Sequence, residues 1–435
     1  MKFNFSVLAF ATFAAAAVIP LHDSQELVQR DDKDSPVEDF IQSLAPLLKT
    51  TNALKNRYIV VYKDDALEDS KTSFGDWITL TLLAKRDGSV DKLHSFGLSS
   101  LSGYVGVFDD DVLDSIRNSA AVKYVEEDAE VSVEAITTQR NAEYGLVRVS
   151  HRHNANNGNY LHNDEGGKGV TAYVVDSGIM YNDDEFEGRA SLGKLVAQPD
   201  EKYDTLGHGT HVAGTIGSKT YGVAKKVDLV SVSVFNTNGR ASISDILTAF
   251  DWVVKDHNKR KSKNGFRGST LNMSIGGVLS QAWTDGINAV VNAGIHAVVA
   301  AGNEQRDACD FSPGASNAIT VGGTDENDNR YGGSNYGKCV DINAPAVNVG
   351  SVGWKQTPDY KTGTSMASPH VCGVVSYLLS LFPGQGSEFA SNIKPTDFKK
   401  LVVDFGTKDK ISNLKSNTPN VIAYQGGTNP LAFWV

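Results

Sequence analysis

Between residues 170 and 345 short apolar strands alternate with helical stretches. No other feature constrains the fold as strongly. The strand runs are "VTAYVV" (170–175), "VDLVSVSV" (227–234), "STLNMSI" (269–275), "GIHAVVAA" (294–301), "AITVGG" (318–323) and "CVDINAP" (339–345). Helical patterns fall at "HGTHVAGTIGS", "SISDILTAFDWVVKDHN", "LSQAWTDGINAVVNA" and "SMASPHVCGVVSYLLSLF". Alternation of this kind builds a parallel sheet with helices on both faces. The predicted class is therefore α/β, a doubly wound and mostly parallel sheet. In such sheets functional groups stand at the carboxyl ends of strands.

Ahead of this region the texture differs. "RYIVVYK" (57–63) reads as a strand and "LHSFGLSSLSGYVGVF" (93–108) as one or two more. "DDVLDSIRNS" (110–119) is helical, and "VKYVEEDAEVSV" (122–133) is a last strand running into an extended tail. Residues 57–133 are thus a small α+β unit. Residues 18–56 are polar and acidic and read as a flexible pro-region. The first 17 residues carry one lysine, an apolar stretch and then alanines, the pattern of a secretory signal peptide cleaved near Ala16–Ala17. Residues 136–435 form the remaining, larger domain.

Strand ends direct attention to three side chains. Asp176 closes "VVDSGI", where an acid either caps the next turn or faces a cleft. His208 opens "HGTHVAGTIG" between two glycines, with His211 three residues on; that pair lacks the third ligand a catalytic zinc needs. Ser365 lies in "GTSMASPHVCG" at the start of a helix. On that stretch alone, a capping serine and a nucleophile are equally good readings. Acyl transfer requires a nucleophile, a base and an orienting acid, and the order Asp…His…Ser is one of the known orders of that triad. Asn303, after "VVAAG", supplies an amide that can donate to an oxyanion. A lipase would need a G-x-S-x-G elbow, which the chain lacks. A peptide-binding protein without activity would not need all four groups.

The motifs "VVDSGI", "GHGTHVAGTIG", "NMSIGG", "AAGNE" and "GTSMASPHVCG" together resemble the subtilisin-like serine proteases, and within them the proteinase K branch and its fungal vacuolar enzymes. The resemblance implies a serine endopeptidase made as a self-cleaving zymogen, with residues 57–133 as an inhibitor-type propeptide. It implies that Asp176 orients the imidazole, His208 is the base, Ser365 the nucleophile and Asn303 the oxyanion donor. Ser274, Ile275, Gly276 and Gly277 would pair with substrate backbone. With Ala301 and Gly302, Gly276 would leave room for an apolar or aromatic substrate side chain. No cofactor is required by these roles, and structural calcium is not readable from the sequence. The sequence departs from the branch at Val212, Arg240–Ala241, Ala346 and Cys372, none of which removes a catalytic group.

The remaining expectations come from bulk properties. A net charge of −10 over 435 residues excludes a nucleic-acid footprint. The basic run at 259–263 reads as a solvated loop. No apolar run after the signal peptide reaches membrane-spanning length without glycine or charge. The expected protein is monomeric, follows the secretory pathway to the vacuole or the exterior, and binds protein and peptide substrates and its own propeptide. Of the three cysteines, Cys309 in a polar loop and Cys339 at a strand start are expected to pair. Cys372, two turns along the helix of Ser365, should stay free and buried.

Overall fold

The structure is a computed structural model, and it describes residues 44–50, 53–85, 89–98, 101–129, 136–155, 157–198, 200–382 and 393–434. The expected signal peptide, most of the stretch expected to be a pro-region, and the segment 130–135, where the propeptide tail was expected, lie outside the described residues.

Residues 44–129 form a five-stranded sheet under two helices. In spatial order its strands are Leu47–Leu48, Val122–Ala129, Ala53–Tyr62, Leu101–Val107 and His94–Leu98. One face packs Val60 and Val125 against Ile78 and Leu82 of the helix Glu68–Lys85 and Val112, Leu113 and Ile116 of the helix Asp110–Arg117. Two features were not read from the sequence. Residues before Arg57 add to this sheet: Ala45 is buried, its N–H donates to Arg117 O, and Leu47–Leu48 pairs in parallel with Val125–Glu126. The end of the stretch read as flexible is thus held by backbone hydrogen bonds and one buried methyl. The helix Glu68–Lys85 also went unread. Its apolar residues are spread around it, with Ile78 and Leu82 buried but Trp77, Leu80 and Leu83 exposed, so no single stripe marks it.

The larger domain is organised by nine strands. In chain order they are β1 (Val170–Asp176), β2 (Ala190–Leu195), β3 (Asp228–Ser233), β4 (Gly268–Met273), β5 (His296–Ala300), β6 (Ile319–Thr324), β7 (Ile342–Pro345), β8 (Thr407–Lys408) and β9 (Val421–Ile422). Their spatial order is β8-β9-β7-β6-β5-β4-β1-β3-β2. Every pairing is parallel except β8 with β9. The chain runs outward in one direction from β1 and then in the other, so β1 sits at the switch point where such sheets bind ligands.

Both faces of β1 are covered, which explains its unbroken apolar run. Val170, Ala172 and Val174 face the helices α1 (His208–Gly217) and α4 (Thr364–Ser380) through Val212, Ile216, Val371 and Val375. Tyr173 and Val175 face the helices α2 (Ile243–Arg260) and α3 (Gln281–Asn292) through Ile246, Phe250, Ile287 and Val291. A capping box of Ser242 and Asp245 starts α2. A further helix, α5 (Pro395–Phe405), not anticipated from the sequence, buries Phe398 and Val402. Ile136–Gln139 pairs antiparallel with Tyr160–Asn163, ahead of β1.

Candidate active site

β1 ends at Asp176, which is 0% exposed. Its Oδ1 accepts hydrogen bonds from Ser177 N at 2.7 Å and from His208 Nδ1 at 2.8 Å. A carboxylate only accepts, so Nδ1 carries the proton and Nε2 keeps its lone pair. His208 opens α1 after Gly207, whose φ of 74° is left-handed. The next residue must also be glycine, because a Cβ on Gly209 would lie 2.2 Å from Gly178 O. That close approach sets the imidazole beside Asp176 while leaving its side chain 31% exposed. Burial alone would lower the pKa of His208. The charge and hydrogen bond of Asp176 outweigh it, the charge of Asp204 adds to them, Lys361 opposes them, and the net shift is upward.

Asp204 is a group that sequence reasoning missed. It is 0% exposed and lies in the loop leading into α1. Oδ1 accepts from Ser177 Oγ (2.8 Å), Leu206 N (2.9 Å) and Gly207 N (2.9 Å). Oδ2 accepts from Thr210 N (2.9 Å) and Thr210 Oγ1 (2.7 Å). Ser177 Oγ in turn accepts from Gly209 N at 2.9 Å. The carboxylate therefore ties the turn after Asp176 to the first turn of α1 and satisfies that helix's free N–H groups. The sequence signal was an acid four residues before His208, which looked like an ordinary loop residue.

Ser365 is the second residue of α4, and the first turn of a helix leaves N–H groups free and a positive dipole end. Gly363 precedes it with φ 150°, and a Cβ there would stand 3.4 Å from Asn303 Oδ1. Asn303 Oδ1 accepts from Thr364 N at 2.9 Å. That N–H needs an oxygen, so Nδ2 of Asn303 is turned away from Thr364. Gly302 N donates to Thr364 Oγ1 at 3.2 Å, locking the two segments together. The Ser365 hydroxyl donates to Ser274 O at 3.2 Å, so in this state its proton points at the end of β4. Catalytic hydrogen bonds to a base often form only once substrate is bound. Asp176 and His208 thus pair where β1 ends and α1 begins, and Asn303, just past β5, is tied to Thr364 beside Ser365 where α4 begins.

Comparison with known proteins adds the family. Residues 167–418 match the Subtilase family, and residues 57–134 match Peptidase inhibitor I9. The chain belongs to the subtilase family. Cerevisin of Saccharomyces cerevisiae is 40% identical over 433 residues, spanning 90% of this chain and 68% of that protein. Subtilisin-like protease 8 of Trichophyton verrucosum is 39% identical, spanning 90% of this chain and 86% of that one. A solved structure, a cold adapted subtilisin-like serine proteinase, superposes with a TM-score of 0.59 at 36% identity and covers 65% of this chain and 98% of its own. The subtilase is accordingly a serine endopeptidase carrying an inhibitor-type propeptide domain.

In this subtilase, β4 stops at Met273, and Ser274–Gly276 runs on outside the sheet before Gly277–Val278 pairs with Phe311–Ser312. Ser274 is buried, Ile275 is partly buried, and Gly276 is open, its nearest neighbour to a would-be Cβ being Ser312 O at 3.9 Å. Ala301 and Gly302 are buried, and Ala301 O accepts from Asn335 Nδ2 at 3.0 Å. Cys309 and Cys339 form a disulfide that ties the loop after Asn303 to the approach of β7. Cys372 is free and buried, its thiol pushed up to about 12 by burial. His211 does not join the site: its Nε2 donates to Val349 O (2.9 Å) and Asp359 O (3.1 Å), and burial lowers its pKa to about 4. Among the described residues no group of three or more His, Cys, Asp or Glu side chains is placed to hold a metal ion, and no helix is long and apolar enough to cross a membrane.

Proposed function

We propose that Asp176, His208 and Ser365 act as one catalytic unit that hydrolyses peptide bonds through an acyl-enzyme. Substrate backbone pairs along Ser274–Gly277, which brings the scissile carbonyl to Ser365 Oγ. His208 Nε2 takes the hydroxyl proton as the new C–O bond forms, and the carbonyl π electrons move onto oxygen. Asn303 Nδ2 and the Ser365 N–H donate to that oxygen, with the α4 dipole behind them. When the C–N bond breaks, His208 returns the proton to the leaving amine. Water then repeats the sequence and frees the acid. Asp176 holds the imidazole in the tautomer with Nδ1 protonated and stabilises its transient charge.

Open space beside Gly276, with the small Ala301 and Gly302 at the end of the neighbouring strand, favours broad specificity with apolar or aromatic residues before the cut. The protein enters the secretory pathway through residues 1–17 and acts in the vacuole, with the exterior as the alternative. It is made as a zymogen in which residues 57–133 inhibit the domain 136–435, works as a monomer, and needs no cofactor for chemistry. The observation that carries the reading is the Asp176–His208 hydrogen bond of 2.8 Å at the sheet's switch point, in a chain whose Ser365 opens a helix beside Asn303. Digestion of a peptide library by wild type and by Ser365→Ala tests it. Wild type should cleave after apolar and aromatic residues, and Ser365→Ala should cleave nothing; equal cleavage by both would sink the proposal.

A further inference from the structure

The helix that presents the nucleophile contains a proline in its second turn. Pro369 lies four residues after Ser365 inside α4. In a regular helix the N–H of residue 369 would donate to the carbonyl of residue 365, and proline has no N–H to give. Ser365 O therefore loses its helical partner at the residue whose position matters most for chemistry. A buried carbonyl left unpaired is costly and loosens the turn that carries it.

The missing donor comes from outside the helix. Ser274 Oγ donates to Ser365 O at 2.8 Å. The same hydroxyl lies 2.9 Å from Ser368 Oγ and 3.0 Å from Asn272 Nδ2. A hydroxyl has one proton and two lone pairs. Ser365 O can only accept, so the Ser274 proton is spent there, and Ser368 and the Asn272 amide must both donate to Ser274. Every site on the Ser274 hydroxyl is then filled, and Asn272, Ser274 and Ser368 are all buried. Ser274 also grips the nucleophile a second time, because its own carbonyl accepts from Ser365 Oγ at 3.2 Å.

We propose that the Ser274 side chain is a positioning residue: its hydroxyl replaces the donor that Pro369 withholds and fixes the turn bearing Ser365. This role rests on Ser365 being the nucleophile. It is separate from the backbone pairing of residues 274–277 with substrate, which any residue at 274 would keep.

The test is a double-variant cycle on the full chain, with kcat and KM measured on a peptide and enzyme concentration set by fluorophosphonate titration. Ser274→Ala should lower kcat by about 10- to 100-fold with KM within about twofold, because a misplaced nucleophile hurts the chemical step. Pro369→Ala restores an N–H aimed at Ser365 O, so adding Ser274→Ala to it should lower kcat by no more than about threefold. Ser274→Thr, which keeps the hydroxyl, should recover most of the loss. A kcat for Ser274→Ala within about twofold of wild type overturns the proposal, as does a double variant about tenfold or more slower than Pro369→Ala alone. If Ser274→Ala does not accumulate folded, the double variant against Pro369→Ala decides: equal kcat supports the role, and a tenfold or greater deficit on the scale set for such misplacement overturns it. A wild type without Ser365-dependent hydrolysis overturns the assigned function, and this role with it. That result is read from wild type against Ser365→Ala, not from residue 274.

Discussion

Acidification should destabilise the catalytic domain through histidines that take no part in catalysis. His211, His296 and His370 are all buried. Burial lowers their pKa values, to about 4 for His211, about 3 for His296 and about 4 for His370. In the unfolded chain each titrates near 6.5. The folded values are depressed, so the neutral form is favoured by folding. The stability these groups contribute is therefore present above the unfolded value and is lost as pH falls toward the folded ones. Between pH 7 and pH 5 the unfolded chain takes up about two protons that the folded chain refuses, which costs about 2 kcal/mol per histidine and about 5–6 in all. That loss is on the scale of the whole stability of a typical domain, about 5–15 kcal/mol. His208 works the other way: its folded pKa is raised, so its contribution is present below the unfolded value and is lost as pH rises through the folded one. The assay is guanidinium unfolding of full-length Ser365→Ala at pH 7, 6 and 5, with and without His296→Leu. His296 stands on β5 against Phe398, with Nδ1 unpartnered, so leucine can replace it in the core. The difference between the two proteins cancels every carboxylate and isolates one histidine. The loss from pH 7 to 5 should be smaller by about 2 kcal/mol, roughly a third of the histidine total, in the leucine variant. Identical pH dependence in both proteins would refute the reasoning.

Asn303→Ala should lower kcat by about 10²–10³ with little change in KM, the magnitude known from a subtilisin, a relative of this chain; a KM effect at constant kcat would remove Asn303 from the oxyanion site. Asp204→Asn keeps the shape of the buried side chain but removes a negative charge that raises the pKa of His208. The acid limb of kcat/KM should move to lower pH, since a base that protonates less readily stays active further down; an unmoved limb would leave Asp204 with a packing role only. Ser365→Ala precursor expressed alone should keep residues 57–133 attached, while wild type releases them by a cut near Glu134–Ala135 or Ala135–Ile136. Normal maturation of the inactive variant would assign the cut to another enzyme.

How much could be read from sequence depended on where each residue's partners lie. β1 and β5 were legible because a sheet covered on both faces needs apolar runs, β3 because its valines recur at strand spacing, and α2 because its apolar residues recur at helical spacing. Asp176, His208, Ser365 and Asn303 were legible because glycines and small residues crowd round them where backbones approach, as at Gly209 and Gly363. The helix Glu68–Lys85 was hidden by its exposed Trp77, Leu80 and Leu83, which blur the period. Leu47–Leu48 was hidden because two residues carry no pattern at all; their partner, Val125–Glu126, is distant in the chain. The Ser274 hydroxyl escaped because Ser365 and Ser368 are distant in the chain, and Asp204 because an acid in a loop before a helix carries no pattern of its own. Pro369 shows in the sequence that a donor is missing, but only the packing of β4 against α4 shows which side chain supplies it.

The central claim is that Ser365 is a nucleophile activated by His208. The most direct measurement is labelling of the purified protein with a fluorophosphonate, followed by peptide mapping. The expected result is one phosphonyl group on Ser365, formed quickly in wild type, slowed by orders of magnitude in His208→Ala and absent in Ser365→Ala. Labelling of a different serine, or labelling of Ser365 at the same rate without His208, would contradict the account.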